Sequence, residues 1–371
     1  MSQQPNEQPQ QEPGQDLQPA DASSQGSRRP EVPATMRASV LTPALELVIE
    51  QRPVPPVATN DVLVQVSSVG VCGSDVHYYR HGRIADFVVE QPMVLGHEAA
   101  GRIVAAGEAV DPRRIGERVS IEPQRPRLDS AQSLSGHYNL DPDIEFYATP
   151  PIDGAFAEYV SIPSVFAHRI PESMSDDAAA LLEPLSVGIA AAQKAQLTVG
   201  DKVLIAGAGP IGLVLVQVAA AYGATEIVVS DLDAARLALA EQLGATASYD
   251  PRRGEQPEEP RFDVFFDASG AAPAVVAGIR ALAPLGRAVL VGMGADDYAL
   301  PISTIQNREL LVTGVFRYAN TWPTAIGLVQ SGAVNLDVLV SGRFGLDQVK
   351  EALDTAGSAE VLKNMVLPGL A

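Results

Sequence analysis

A glycine-rich turn between two apolar runs constrains the fold more than any other feature of the chain. Residues 203–212 read Val-Leu-Ile-Ala-Gly-Ala-Gly-Pro-Ile-Gly, so the pattern GxGxxG directly follows a predicted buried strand and opens a predicted helix. Gly207 permits the tight turn, Gly209 lets a pyrophosphate approach the backbone, and Gly212 lets helix and strand pack closely. Pro210 suits the first helical turn, whose free N–H groups attract phosphate. The motif therefore predicts a dinucleotide-binding site.

Predicted strands and helices alternate from about residue 200 onward. Strands are expected at 203–208, 226–231, 263–268 and 288–292, and helices at 211–222, 234–243 and 273–283. This alternation predicts an α/β fold with a doubly wound parallel sheet, a Rossmann domain over residues 188–321. The stretch 251–262 is polar, proline-rich and short, which predicts a third crossover without its helix.

The segment before the parallel sheet has a different texture. Residues 36–183 are predicted to be β-rich, with short strands at 62–69, 99–105, 118–121 and 156–162 that are separated by Gly and Pro turns. Residues 1–35 are rich in Gln, Pro, Ser and Glu and hold almost no large apolar side chains. Such a composition cannot bury enough surface to offset the entropy of ordering, which predicts a disordered N-terminal tail.

An acidic residue follows the second predicted strand of the sheet. Asp231 lies nineteen positions after Gly212. A carboxylate there accepts hydrogen bonds from the adenosine ribose hydroxyls and repels a 2′-phosphate. Leu232 and Asp233 follow it in sequence, with no adjacent arginine. The sequence therefore predicts NAD rather than NADP as the cofactor.

Charge and cysteine content restrict the partners and the compartment. The chain has 45 Asp and Glu against 26 Lys and Arg, a net charge of −19, which disfavours nucleic acid and anionic membranes as partners. Cys72 is the one cysteine, so the sequence predicts no internal disulfide. No apolar run reaches the roughly 20 residues that span a bilayer, and no secretory signal is recognisable. A cytoplasmic location is expected.

Residues that could bind a metal are concentrated in three short sequence motifs before the parallel sheet. They are Cys-Gly-Ser-Asp-Val-His at 72–77, Gly-His-Glu at 96–98 and Glu-Pro-Leu-Ser at 183–186. Catalytic zinc takes three protein ligands and leaves a fourth position open. Taken singly, each residue is better explained as a buried or solvated side chain. Together they predict a zinc site with sulfur, imidazole and carboxylate ligands, the last from Glu98 or Glu183.

The order of these strings is similar to that of a known family. Cys72, then Gly-His-Glu-x-x-Gly at 96–101 and a glycine at 107, followed by the glycine-rich turn, resembles the zinc-dependent medium-chain dehydrogenases. Strings at 70–78, 136–140, 148–151, 183–188 and 314–323 resemble their sorbitol (polyol) dehydrogenase branch. The resemblance covers about 36–371. It implies a GroES-like catalytic domain formed by 36–187 and 322–371, and an enzyme like L-iditol 2-dehydrogenase.

The resemblance also implies roles for individual residues near the metal. It assigns zinc to Cys72, His97 and Glu98 with a water, and Glu183 to that water or to an exchanging ligand position. It assigns the polyol pocket to Tyr78, Phe146, Arg317 and Tyr318. Ser74 and His77 occupy the positions of a proton relay, although His77 is equally well explained as a polar residue near the cofactor ribose.

The cofactor site implied by the resemblance extends beyond the glycine motif. Its expected members are Gly207, Gly209, Pro210, Ile211, Gly212, Asp231, Arg236, Val291, Gly292, Met293, Val315, Phe316 and Arg317. The expected reaction is hydride transfer from a secondary hydroxyl of a polyol to NAD, which yields a ketose.

A second, structural zinc is not expected. Residues 122–150 contain no cysteine and only His137 among strong soft-metal ligands. One zinc per chain is therefore expected. The resemblance also implies a homotetramer. The alternatives are a threonine- or butanediol-type zinc dehydrogenase and a catalytically inactive NAD-binding relative. The intact set of candidate ligands speaks against the inactive relative.

Overall fold

The computed structural model describes residues 32–254, 259–295 and 297–370. Its strands are β1 (Thr35–Leu41), β2 (Leu47–Pro53), β3 (Asp61–Gly70), β4 (Arg83–Ile84), β5 (Phe87–Val88), β6 (Met93–Val94), β7 (Glu98–Ala106), β8 (Arg118–Ile121), β9 (Gln124–Arg125), β10 (Glu145–Phe146), β11 (Tyr159–Pro163), β12 (Ala167–Arg169), β13 (Lys202–Ala206), β14 (Glu226–Ser230), β15 (Ala247–Tyr249), β16 (Phe262–Asp267), β17 (Leu282–Leu290), β18 (Leu311–Gly314), β19 (Val340–Gly345) and β20 (Lys363–Leu367). Its helices are α1 (Gly73–His81), α2 (Ala131–Leu134), α3 (Asp176–Ala180), α4 (Leu182–Lys194), α5 (Pro210–Ala221), α6 (Ala234–Gln242), α7 (Ala272–Ala281), α8 (Ile302–Asn307), α9 (Trp322–Gln330) and α10 (Val349–Thr355).

A seven-stranded sheet organises the β-rich part around β3. The order is β12-β8-β7-β3-β20-β19, and β11 also pairs with β3. Nearly every residue of β3 is buried, because apolar side chains point to both of its faces. In the antiparallel β3–β7 pair, Gly70 lies opposite Glu98. Strand β20 pairs with the same end of β3, Met365 opposite Gly70. Segments distant in sequence therefore meet at the residues that precede Cys72.

A six-stranded parallel sheet forms the second part of the fold. Its order is β15-β14-β13-β16-β17-β18, with every neighbouring pair parallel. Side chains of β13 and helices α4 and α5 fill one continuous apolar core. The predicted α/β fold, a doubly wound parallel sheet next to a β-rich part, is confirmed. Because α4 begins beside the β-rich part and packs on α5, its first turn is held between the two sheets.

Three boundaries differ from the sequence prediction. Strand β17 begins at Leu282 rather than 288, and a register shift between Phe262 and Val264 marks this irregular pairing. Strand β11 begins at Tyr159 rather than 156, since the backbone N–H of Phe156 donates to Leu95 O. Strand β1 begins at Thr35, one residue inside the predicted tail, whose residues 1–31 lie outside the described part of the chain.

The crossover between β15 and β16 is short. Among its described residues it contains one 3₁₀ turn, Pro251–Arg253, and no α-helix, while residues 255–258 lie outside the described part. None of the helices in the described residues is long and apolar enough to cross a membrane.

Candidate active site

A cavity of about 270 Å³ lies where the β-rich part meets the carboxyl edge of the parallel sheet. Its walls bring together most of the residues that the sequence singled out. They are Cys72, Ser74, Tyr78, His97, Glu98, Phe146, Glu183, Ile211, Val291, Met293, Val315, Phe316 and Arg317. Candidate metal ligands, substrate residues and cofactor residues thus share one space.

Cys72, His97 and Glu98 place their ligand atoms within 4.8 Å of one another. Cys72 is half-buried at the N-terminus of α1, whereas His97 and Glu98 are buried where β7 begins. It is the only such group of three found in the described residues, and it does not include Glu183. Sulfur, imidazole and carboxylate form the donor set of a catalytic zinc with one position left open, so the residues fit that ion.

Asp75 ties the two ligand segments together. Its carboxylate is fully buried and accepts hydrogen bonds from the Cys72 N–H at 3.0 Å and the Gly96 N–H at 2.9 Å. It also lies 3.8 Å from His97 Nδ1. Burial lowers the pKa of His97, but the neighbouring Cys72 and Asp75 outweigh burial and raise that pKa well above its usual value. Asp75 therefore caps α1 and places a negative charge beside the imidazole.

Lys363 is a member of the site that sequence reasoning missed. Its Nζ donates to Glu98 Oε1 at 2.7 Å, to Glu98 Oε2 at 2.8 Å and to Val71 O at 3.0 Å. Burial opposes the ammonium form, but Glu98 outweighs burial and raises the pKa of Lys363. Each oxygen of Glu98 keeps a second lone pair, so this ion pair leaves the carboxylate able to bind a cation.

Glu183 faces the same cavity from the first turn of α4. Its Oε1 accepts a hydrogen bond from the Tyr318 hydroxyl at 2.7 Å. Burial is the main cause that raises the pKa of Glu183, and the charge of Glu98 adds to it. Tyr318 was expected to line the substrate pocket, but it is only 1% exposed and lies behind Glu183 instead. Its contact is with the glutamate rather than with the cavity space.

Arg317 is held against the cavity wall by two contacts. Its guanidinium carbon lies 3.7 Å from the centroid of the Phe146 ring, and its Nη2 donates to Thr149 Oγ1 at 3.1 Å. Burial lowers the pKa of Arg317. Tyr78 lies on the same wall, and burial raises the pKa of its hydroxyl to about 12. The cavity therefore offers hydrogen-bond donors next to aromatic surface, a combination that suits a hydroxyl-rich ligand.

The structure separates the two predicted relay residues. Ser74 lies on the cavity wall. His77 is exposed one turn further along α1, outside that wall, with its ring centroid 4.7 Å from that of His81. No hydrogen bond between Ser74 and His77 occurs among the described residues. The relay stays a prediction.

The glycine motif has the geometry that dinucleotide binding requires. Gly207 adopts a φ of +97°, which favours glycine. A Cβ on Gly212 would lie 1.9 Å from Gly207 O, whereas a Cβ on Gly209 would meet no protein atom within 4 Å. Helix α5 begins at Pro210 without a side-chain cap, so its first N–H groups stay available to a phosphate. The open space over Gly209 fits a pyrophosphate.

Asp231 directly follows β14 beside the motif, and its Oδ2 accepts a hydrogen bond from the Ala208 N–H at 2.6 Å. The guanidinium of Arg236 donates to the backbone oxygens of Ser358 and Val361. A third charged residue was missed by sequence reasoning. Arg252 reaches the oxygen of Leu232, so an arginine lies beside Asp231 in space although none is adjacent in sequence.

Comparison with known proteins places this site in a family. Residues 58–172 match the alcohol dehydrogenase GroES-like domain, and residues 210–331 match the zinc-binding dehydrogenase domain. The chain is 44% identical over 328 residues to sorbitol dehydrogenase of Mus musculus, covering 86% of this chain and 92% of the relative. The chain belongs to the zinc-dependent medium-chain dehydrogenases, in their sorbitol dehydrogenase branch. The predicted family and the predicted cofactors, zinc and NAD, are confirmed.

Other relatives of this sorbitol-branch dehydrogenase agree. Sorbitol dehydrogenase of Bacillus subtilis is 40% identical over 347 residues, with 91% of this chain and 98% of the relative covered. Among solved structures, L-idonate 5-dehydrogenase from Escherichia coli superposes with a TM-score of 0.85 at 29% identity, covering 90% of this chain and 98% of the other. A 2R,3R-butanediol dehydrogenase from Bacillus subtilis superposes with a TM-score of 0.82 at 29% identity, covering 90% and 100%. The sorbitol relatives share more sequence than this butanediol enzyme, so the alternative diol assignment is not favoured.

Proposed function

We propose that this dehydrogenase oxidises a secondary hydroxyl of a polyol such as sorbitol or xylitol to a ketose and transfers the hydride to NAD. One observation carries the proposal. A trio of sulfur, imidazole and carboxylate, of which the last two are buried, lines the same cavity as Arg317, Tyr78 and the cofactor residue Ile211. Relatives named sorbitol dehydrogenase support this substrate class over others.

Cys72, His97 and Glu98 would hold the zinc ion, and Glu183 lines the same cavity. When bound, zinc supplies positive charge that lowers the pKa of the substrate hydroxyl, and NAD supplies the hydride acceptor. The other tasks belong to the chain. Lys363 holds Glu98 in place, and the Tyr318 hydroxyl fixes the Glu183 carboxylate, which receives the hydroxyl proton.

Polyol recognition would fall to the polar groups of the cavity wall. The Arg317 guanidinium is positioned by Phe146 and Thr149, and it presents N–H donors to substrate hydroxyls. Ser74 and Tyr78 add hydroxyls on the same wall. A simple alcohol would leave these polar groups of the cavity wall without substrate partners, which disfavours it relative to a polyol. Ser74 and His77 are proposed to pass the proton toward solvent.

Domain limits, assembly and location complete the proposal. The catalytic domain would comprise 36–187 and 322–371, and the NAD-binding domain 188–321. A homotetramer is proposed, supported by the outermost strand β18, where Leu311 is 50% exposed at an open sheet edge. The single cysteine supports a reducing, cytoplasmic location.

Zinc content and NADH formation together test the function. Wild type and Cys72→Ser would be compared by elemental analysis and by NADH absorbance with sorbitol, xylitol, butanediol and threonine. We expect about one zinc per wild-type chain and turnover fastest with the sugar alcohols. Cys72→Ser should lose at least about a hundredfold in kcat/KM, since a catalytic charge worth several kcal/mol is removed.

Binding of NAD, measured by calorimetry, serves as the control for folding of the variant. We expect it to be retained in Cys72→Ser. Turnover by zinc-free protein would overturn the mechanism. Zinc and NAD binding without turnover of any alcohol would instead support the inactive relative.

A further inference from the structure

The carboxyl ends of β14 and β15 place two acidic residues side by side. These parallel strands pair Ser230 with Tyr249, and the Asp231 N–H donates to Tyr249 O at 3.3 Å. Asp231 and Asp250 therefore leave adjacent strands at the same edge of the sheet. This is the edge at which a dinucleotide places its adenosine ribose.

Arg252 crosses this edge from one strand end to the other. Its Nε donates to Asp250 Oδ1 at 3.0 Å, and its Nη2 donates both to Asp250 Oδ2 at 2.7 Å and to Leu232 O at 2.5 Å. Leu232 directly follows Asp231, so the guanidinium stands next to the ribose carboxylate. The side chain is 61% exposed, and no hydrogen bond among the described residues uses its Nη1. One face of the guanidinium is thus open toward solvent.

The charge of Asp231 is partly satisfied by the protein. Its Oδ2 accepts the Ala208 N–H at 2.6 Å and its Oδ1 accepts the Asp233 N–H at 2.9 Å. Hydrogen bonds from backbone N–H groups disperse the charge of a carboxylate and weaken its repulsion of a nearby anion. The Arg252 guanidinium beside it adds attraction, because its unused Nη1 can donate charge-assisted hydrogen bonds to a phosphate oxygen.

We propose that Arg252 forms a subsite for a 2′-phosphate beside Asp231, so that the enzyme accepts NADP as a second, weaker cofactor. The proposal builds on the assignment of this chain as an NAD-dependent dehydrogenase and extends the cofactor site by one residue. NAD stays preferred, since Asp231 still binds the ribose hydroxyls and still carries a negative charge. The arginine reduces the penalty for the extra phosphate rather than reversing the preference.

A binding experiment on the intact protein tests the subsite without catalysis. Adenosine 2′,5′-bisphosphate and 5′-AMP would be titrated into wild type and Arg252→Gln by calorimetry. The quantity compared is the affinity for the bisphosphate divided by the affinity for 5′-AMP. Loss of a charge-assisted hydrogen bond predicts that this ratio falls about tenfold or more in Arg252→Gln. The bisphosphate affinity of wild type should also fall as salt is raised.

Arg261→Gln is the matched control. It removes the same charge from the same sheet, but Arg261 pairs with Glu226 at the opposite edge, where the strands begin. Its affinity ratio should equal that of wild type. In the polyol assay, NADP should support measurable turnover in wild type and less in Arg252→Gln relative to NAD.

An unchanged affinity ratio in Arg252→Gln would overturn the subsite, and so would an equal fall in Arg261→Gln. Failure of the proposed function would look different. In that case no alcohol would be oxidised with either cofactor, while the calorimetric ratio would still report whether Arg252 contacts the 2′-phosphate.

Discussion

The ammonium of Lys363 and the carboxylate of Glu98 form a buried ion pair under the candidate zinc site. Lys363 is 4% exposed and Glu98 1% exposed. Removing two charges from water is costly, and their attraction offsets that cost only while both partners are present. The pair therefore adds little net stability but makes each partner strongly dependent on the other.

Lys363→Met is expected to destabilise the metal-free protein by about 3–5 kcal/mol at pH 7, because Glu98 keeps a buried charge without its partner. Urea unfolding with a chelator present measures this. Added zinc should restore part of the loss, since the ion supplies the missing positive charge to Glu98.

Lys350→Met is the matched control for this prediction. Lys350 forms an exposed pair with Asp354 on α10, and exposed pairs contribute little to stability. Its unfolding midpoint should stay close to that of wild type. Equal midpoints for Lys363→Met and wild type would contradict the view that the Glu98 charge depends on Lys363.

Residues of the site differ in how far sequence could identify them. Cys72, His97 and Glu98 stand out because unusual residue types occur in short strings. Lys363 does not, because it lies 265 positions from Glu98 and reaches it only through the pairing of β20 with β3. Arg252 escaped notice for the same reason, since parallel pairing of β14 and β15 brings it to Leu232.

At the scale of one element, two glycines at the start of α5 have different roles, one in folding and one in ligand binding. Gly212 has no room for a Cβ, which would lie 1.9 Å from Gly207 O. Gly209 has room within the protein, with no atom inside 4 Å, and its φ of −72° suits any residue. The two glycines of one motif therefore have different roles. Gly212 allows internal packing, and Gly209 leaves room for the ligand.

Gly212→Ala should destabilise the protein by about 1–3 kcal/mol or more through overpacking of α5 against the turn. Gly209→Ala should cost about 1 kcal/mol or less, yet weaken NAD binding about tenfold or more, because the methyl group displaces the pyrophosphate from the N–H groups. Thermal unfolding and NAD titration measure both. Similar effects on both properties in the two variants would show that this division is wrong.

Elements with strong periodicity were predicted to within one or two residues, as β13, α5 and α6 show. The early start of β17 was not predicted, because residues 282–287 are not a continuous apolar run and join the sheet through an irregular register. Propensity describes a residue's own preferences, whereas strand ends depend on which neighbour supplies the hydrogen bonds.

At the scale of the whole molecule, the segment 122–150 is held in place by hydrogen bonds. The buried Glu122 carboxylate accepts hydrogen bonds from the Tyr138 hydroxyl at 2.7 Å and from Gln124 Nε2 at 2.6 Å, and His168 Nε2 lies 2.8 Å from it. The Tyr138 oxygen in turn accepts the Asn320 N–H at 2.7 Å. This network anchors the segment without any metal-ligand group in its described residues.

Zinc removal should therefore inactivate the enzyme without unfolding it. Chelation is expected to lower the free energy of unfolding only by the contribution of zinc binding. This contribution is about 2.7 kcal/mol if the free zinc concentration before chelation was about 100 times its Kd. Far-UV circular dichroism should be unchanged at 25 °C, and activity should return with one equivalent of zinc. Loss of the circular dichroism signal on chelation would instead indicate a fold that requires the metal.

The position of Lys363 in β20 also bears on how the enzyme is made in the cell. Strand β20 joins β3 only after the parallel sheet that separates them in sequence has been translated. A growing polypeptide that stops before this lysine contains Cys72, His97 and Glu98 but leaves the glutamate without its cation. Zinc capture before synthesis is complete would thus occur on an unfinished site, and a prematurely terminated product would present an uncoordinated thiol beside an unbalanced charge.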